Sequence, residues 1–227
     1  MSNSVSRQTT NHVPDPIARV ADLMSTFGAT WCLCGGWAVD AWLGRLSRDH
    51  VDVDIAVFLE DQRALLDHLV GWELIAHDPN VAGNTSEPWD GRPLDLPAHI
   101  HGRLRDARSP TPDRLDAPAQ QGFGLDIQFN ERSGDDWIFS RAPRVAMPLQ
   151  GAVRQPDWGL PTLVPEVLLF YKATGFIRRR DQLDFLALLP HLTDEQRDWL
   201  RNAISLLGHP WLSQLSLKGS STSAGSP

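Results

Sequence analysis

The stretch CGGWAVDAWLGRLSRDHVDVDIAV, residues 34–57, decides how this chain is read. The apolar run Thr30 to Cys34 has the bulk of a buried strand, and Gly35 and Gly36 break it before Trp37 to Leu43 takes up helical spacing. Two glycines between a strand and a helix leave bare backbone N–H groups at the helix start, where an anion such as phosphate is favoured. Asp52 to Phe58 then reads as a second strand, DVDIAVF. Residues two apart on a strand share a face, so Asp52 and Asp54 lie together. Paired carboxylates repel unless a cation sits between them, and hard ions such as Mg²⁺ prefer carboxylate and phosphate oxygen.

A third carboxylate would complete a metal site or accept a proton from an attacking hydroxyl. Asp95 and Asp126 are each flanked by apolar residues. Pro93 and Pro97 disfavour a central strand around Asp95, whereas Gly124 to Asn130 alternates cleanly, with Leu125, Ile127 and Phe129 on one face and Asp126 and Gln128 on the other. Asp126 is therefore preferred to Asp95.

Outward from this block, Pro16 opens an amphipathic helix carrying Ile17, Val20, Leu23 and Met24, which stops near Gly28. Glu60 to Val70 is read as a helix, Trp72 to Ala76 as a strand, 78 to 93 as a loop rich in Pro, Gly, Asn and Asp, and Pro93 to Leu104 as an irregular strand. After a loop at 106 to 122 and the Asp126 strand, Trp137 to Ser140 and Val145 to Met147 are short strands. Helices follow at Pro165 to Arg178, Asp181 to Leu189 and Thr193 to Leu207, the last opened by a capping threonine. The expected organisation is a mobile N-terminus at 1–11, an α/β domain at 12–150, a helical region at 151–215 and a disordered Ser/Gly-rich tail at 216–227.

The order Gly-Gly, helix, Asp-x-Asp and a later apolar-Asp-apolar strand resembles the nucleotidyltransferase superfamily of the DNA polymerase β type. More narrowly, residues 35–57 are similar to the corresponding block of lincosamide and aminoglycoside nucleotidyltransferases, Arg48 and His50 included. The segment PEVLLFYKATGFIRRRDQLDF, beginning at Pro165, resembles the C-terminal part of relatives in the same broad family. The resemblance implies an α+β fold, a mixed sheet flanked by helices with a C-terminal helical bundle. It also implies that Gly35 and Gly36 approach nucleotide phosphates, that Asp52 and Asp54 coordinate Mg²⁺, and that Asp126 is the third acid. The implied reaction moves a nucleoside monophosphate, AMP from the nucleotide triphosphate ATP, to a hydroxyl of a small molecule. Arg48 is a phosphate ligand or a partner in a structural ion pair, and His50 orients its loop. Lys172, beside Tyr171, is a point charge for the triphosphate or a surface lysine.

Composition narrows the alternatives. A net charge of −7, from 28 acidic and 21 basic residues, opposes binding to long nucleic acid. No run of apolar residues reaches the length of a membrane span or a signal peptide, so a cytoplasmic, membrane-free protein is expected. Cys32 and Cys34 are the only cysteines and are read as core neighbours. His99 and His101 alternate on a strand, but no third ligand falls at a characteristic zinc spacing, so they are read as structural. Of the nine tryptophans, Trp89 and Trp137 are candidates for stacking on a base, with core packing the simpler account. The Arg178-Arg179-Arg180 run is read as solvated surface. Competing functions are a nucleotidyltransferase acting on tRNA or protein, and a non-catalytic nucleotide-binding protein.

Overall fold

A computed structural model describes residues 12–77, 86–104, 124–139 and 142–215. The chain divides into two compact units, Met1–Val164 and Pro165–Pro227. The first contains α1 (Asp15–Met24), β1 (Trp31–Leu33), α2 (Gly35–Leu43), β2 (Val53–Phe58), α3 (Gln62–His68) and β3 (Trp72–His77). It continues with β4 (Ser86–Pro88), β5 (His99–Leu104), β6 (Gly124–Ser133), β7 (Asp136–Ile138), β8 (Ala146–Pro148), α4 (Leu149–Ala152), β9 (Val153–Arg154) and β10 (Thr162–Leu163).

The strands form one mixed sheet in the order β4-β3-β5-β6-β2-β1-β10-β9, with β7 and β8 continuing from β6 as a side ribbon. β2 runs parallel to β6 and β1 parallel to β10, while the other neighbours are antiparallel. Alternation sorts the faces. Leu74, Ala76, Ile100, Leu125, Ile127, Val53 and Ile55 are buried on one side, and Ile17, Val20 and Met24 of α1 and Leu65 of α3 are buried with them in the core. The opposite side carries His77, His99, His101, Asp126, Gln128 and Asp54, all partly accessible.

α2 is apolar nearly all round, and Gly36 through Ala41 are buried. It ends on Gly44, whose φ of 63° is the left-handed cap that glycine adopts without a Cβ penalty. Trp42 Nε1 donates to the Leu163 carbonyl at 2.7 Å, tying the helix to β10.

β9 and β10 lie beyond residue 150, where the α/β domain is expected to end. They are short pieces whose pattern is too brief to read in sequence, yet they pair with the sheet and carry the first unit to Val164. β4 likewise lies within the segment read as a loop, and of that segment residues 78–85 fall outside the described residues. The expected loop at 106–122, the N-terminus and the C-terminal tail also lie outside them.

The second unit contains α5 (Pro165–Ala173), α6 (Arg179–Leu188), α7 (Asp194–Ser205) and α8 (Leu212–Leu215). Thr193 and Gln196 cap α7 reciprocally: Gln196 N–H donates to Thr193 Oγ1 at 3.2 Å, and Thr193 N–H donates to Gln196 Oε1 at 2.9 Å. Trp211 stacks on Phe185 at 4.2 Å and donates its indole N–H to Gln182 at 2.6 Å. α5 ends at Ala173 rather than running on to Arg178. Arg178 instead precedes α6, where its backbone N–H and guanidinium both donate to Asp181. Among the described residues no helix is long and apolar enough to cross a membrane.

Candidate active site

Asp54 and Asp126 stand directly opposite each other, in register on the adjacent parallel strands β2 and β6. Asp52 sits immediately before β2. The turn between β1 and α2 is fastened to the same place, because the Cys34 N–H donates to the Asp54 carbonyl at 2.9 Å. Gly35 has a φ of +63°, and a methyl group there would overlap the Asp54 carboxylate. A methyl on Gly36 would overlap Arg48 and His50. Both glycines are therefore required by close approach of the chain's own polar side chains to the start of α2.

Asp126 is the most perturbed carboxyl of this group. Burial pushes its pKa up to about 8, the charges of Asp54 and Asp52 push in the same direction, and a hydrogen bond from the Gln128 side chain opposes them. Its Oδ1 is buried without a hydrogen-bond partner. His101 Nε2 lies 3.5 Å from it, too far for a strong hydrogen bond. Mutually repelling carboxylates around an unsatisfied oxygen form a donor set suited to a hard cation: a bound Mg²⁺ would satisfy Asp126 Oδ1 and offset the repulsion. Asp95 is exposed on the segment before β5, away from the strand register that aligns Asp54 with Asp126.

Arg48 and His50 belong to a network centred on a residue that the sequence reading passed over. Asp40 is fully buried in α2. Its Oδ1 accepts the Ser47 N–H at 3.1 Å and the Ser47 hydroxyl, and its Oδ2 pairs with His50 Nε2 at 2.7 Å. Arg48 lies 3.0 Å from His50 Nδ1. A guanidinium can only donate, so Nδ1 accepts and the ring proton is on Nε2, directed at Asp40. Trp37 covers the His50 ring at 4.4 Å. The loop from Ser47 to His50 is thus held to α2 and delivers the chain to Asp52. The signal for Asp40 was present, since it is the one charged residue in GGWAVDAWL.

Lys172 is not an exposed lysine. Its ammonium is 2.7 Å from Asp184 and 3.7 Å from Asp181 within the helical unit. Trp89 and Trp137 are both buried; Trp89 donates to the Arg92 carbonyl and Trp137 packs edge-on against Phe58, so packing accounts for them. Cys32 and Cys34 are both buried, and burial raises the pKa of Cys32.

β3 supplies the histidine that sequence spacing could not. His77 stands opposite His99, and one ligand atom from each of His77, His99 and His101 lies within 4.8 Å of the others. Burial lowers the pKa of both His77 and His101.

The sequence of residues 16–76 matches the model of a family described as aminoglycoside-2″-adenylyltransferase. No curated protein matches the chain. Among solved structures, the lincosamide antibiotic adenylyltransferase LnuA with lincomycin bound aligns with a TM-score of 0.52 at 15% identity, covering 78% of this chain and 96% of that one. ANT(2″)-Ia in complex with adenylyl-2″-tobramycin aligns with a TM-score of 0.52 at 14% identity, covering 84% of this chain and 96% of that one. The solution structure of ANT(2″)-Ia aligns with a TM-score of 0.53 at 16% identity, covering 85% and 91% of the two chains. The chain has the polymerase β-like nucleotidyltransferase fold.

Proposed function

We propose that the chain, built on this fold, is a Mg²⁺-dependent nucleotidyltransferase that moves AMP from ATP to a hydroxyl of an aminoglycoside- or lincosamide-like small molecule. The observation that carries the reading is the facing pair Asp54 and Asp126, with the Gly35 turn packed against the Asp54 carboxylate. Asp52, Asp54 and Asp126 are the metal ligands of this reading. Held by these carboxylates, Mg²⁺ would supply neutralisation of the phosphate charge that develops during the displacement.

The acceptor hydroxyl attacks the α-phosphorus, its new O–P bond forms as the bond to pyrophosphate breaks, and its proton passes to Asp126. Without metal, burial and the charges of Asp54 and Asp52 hold Asp126 at about 8; a bound Mg²⁺ would lower that value and leave the carboxylate ionised to accept the proton. The backbone N–H groups at Gly35 and Gly36 meet the triphosphate at the start of α2, and Arg48, beside Gly36, adds a fixed positive charge. Lys172, already paired with Asp184, is the weakest of the expected phosphate contacts. The acceptor class rests on the family model over residues 16–76 and on the two antibiotic adenylyltransferases that share the fold.

Incubating the chain with Mg²⁺, α-labelled ATP and a panel of aminoglycosides and lincosamides tests the proposal. Label should move to a panel member and chelation should abolish the transfer. Asp126→Asn should lower turnover about a hundredfold or more, a larger loss than its loss of nucleotide affinity, and Asp95→Asn should match the parent. Full transfer by Asp52→Asn would refute the metal assignment. Label appearing only on tRNA or protein would move the reaction to a different acceptor, and nucleotide binding without transfer would remove the catalytic reading.

A further inference from the structure

Three imidazoles from two antiparallel strands meet on the accessible face of the sheet. His99 and His101 alternate along β5, and β3 places His77 directly across from His99. The His77 and His99 rings stack at 4.7 Å, and the His101 ring centroid is 4.4 Å from that of His77 and 5.1 Å from that of His99. Among the described residues, these three side chains are the group whose ligand atoms all fall within 4.8 Å of one another. One ring is oriented from outside the group: Ser86 Oγ lies 2.8 Å from His77 Nδ1. A polar group behind an imidazole is how ligand rings are fixed around transition metals.

We propose that His77, His99 and His101 bind a zinc-class transition-metal ion, each through one ring nitrogen, with a further coordination position open on the face shared with Asp126. Three protein ligands leave a tetrahedral ion one position for water or for an oxygen of a bound molecule. The trio also selects against the ion of the neighbouring carboxylates. Imidazole suits zinc, copper or nickel, whereas Mg²⁺ takes oxygen, so two different ions would sit on adjacent strands without competing. The site stands independently of nucleotidyl transfer, and its test reads metal rather than turnover.

The full chain is stripped with a chelator and dialysed against Zn²⁺ in a large excess of Mg²⁺, and bound zinc is measured. One equivalent should remain, Co²⁺ in place of Zn²⁺ should give visible d–d absorption, and Zn²⁺ should raise the melting temperature. His99→Ala, and separately the His77→Gln/His101→Gln pair, should lose the bound ion and the thermal shift while keeping the metal-free melting temperature of the parent. Asp52→Asn should keep the zinc. An absence of retained zinc in the parent overturns the site, as does undiminished zinc in both histidine variants. Loss of zinc in Asp52→Asn would assign the ion to the carboxylates instead.

Discussion

Asp54 and Gly35 cannot be understood separately. The carboxylate occupies the volume in which a Cβ on residue 35 would stand, and the positive φ there already disfavours any L side chain. Gly35→Ala should cost about 1–2 kcal/mol from the left-handed backbone alone, and it should also displace the Asp54 side chain. The expected result is a lowered melting temperature together with a loss of Mg²⁺-dependent activity larger than the stability loss explains. An alanine variant with the parent's activity would detach Gly35 from the site. The need for glycine at this position was legible in sequence as a break between strand and helix. Its cause was read there as room for phosphate, whereas the structure adds an occupant from the chain itself, which only the parallel pairing of β2 and β6 and the Cys34 tether bring into place.

At the scale of elements, α2 and the loop that follows it act together through Asp40. A buried carboxylate is tolerated because Ser47 and His50 satisfy both of its oxygens. Removing one partner leaves the other buried and unpaired, so His50→Ala should destabilise the first unit by about 3–5 kcal/mol if the Asp40 charge is retained. Urea unfolding should report that loss with little change in slope, and a destabilisation below about 1 kcal/mol would show that the network is not structural. Helices with clear caps and spacing were readable in advance: α7 begins at its threonine cap as expected, and α1 lies where Pro16 and the apolar stripe put it. The short strands β4, β9 and β10 were not, since two or three residues carry no period and exist as strands only through their sheet partners.

Across the whole molecule, the acidic balance of −7 sharpens at one point, where Asp52, Asp54 and Asp126 share a face. The folded-state pKa of Asp126 lies above its unfolded value, so its proton contributes stability fully below the usual carboxylate range, and that contribution is lost as pH rises towards about 8. Metal-free protein should therefore lose stability between about pH 5 and about pH 8, with a slope of at most about 1.4 kcal/mol per pH unit from this group. Asp126→Asn or saturating Mg²⁺ should flatten that slope, and unfolding midpoints across the range, with and without Mg²⁺, would detect it. A parent slope unchanged by both would show that Asp126 is not the titrating group. Local pattern determined the Gly-Gly turn, the spacing of Asp52 and Asp54, the alternating strand that carries Asp126 and the main helices, because each depends on neighbours within a few residues. Tertiary structure alone decided that Asp126 faces Asp54, that Asp40 anchors the intervening loop, that β9 and β10 extend the sheet, and that His77 joins His99 and His101. Strand register joins residues tens of positions apart, and no spacing along the chain encodes it.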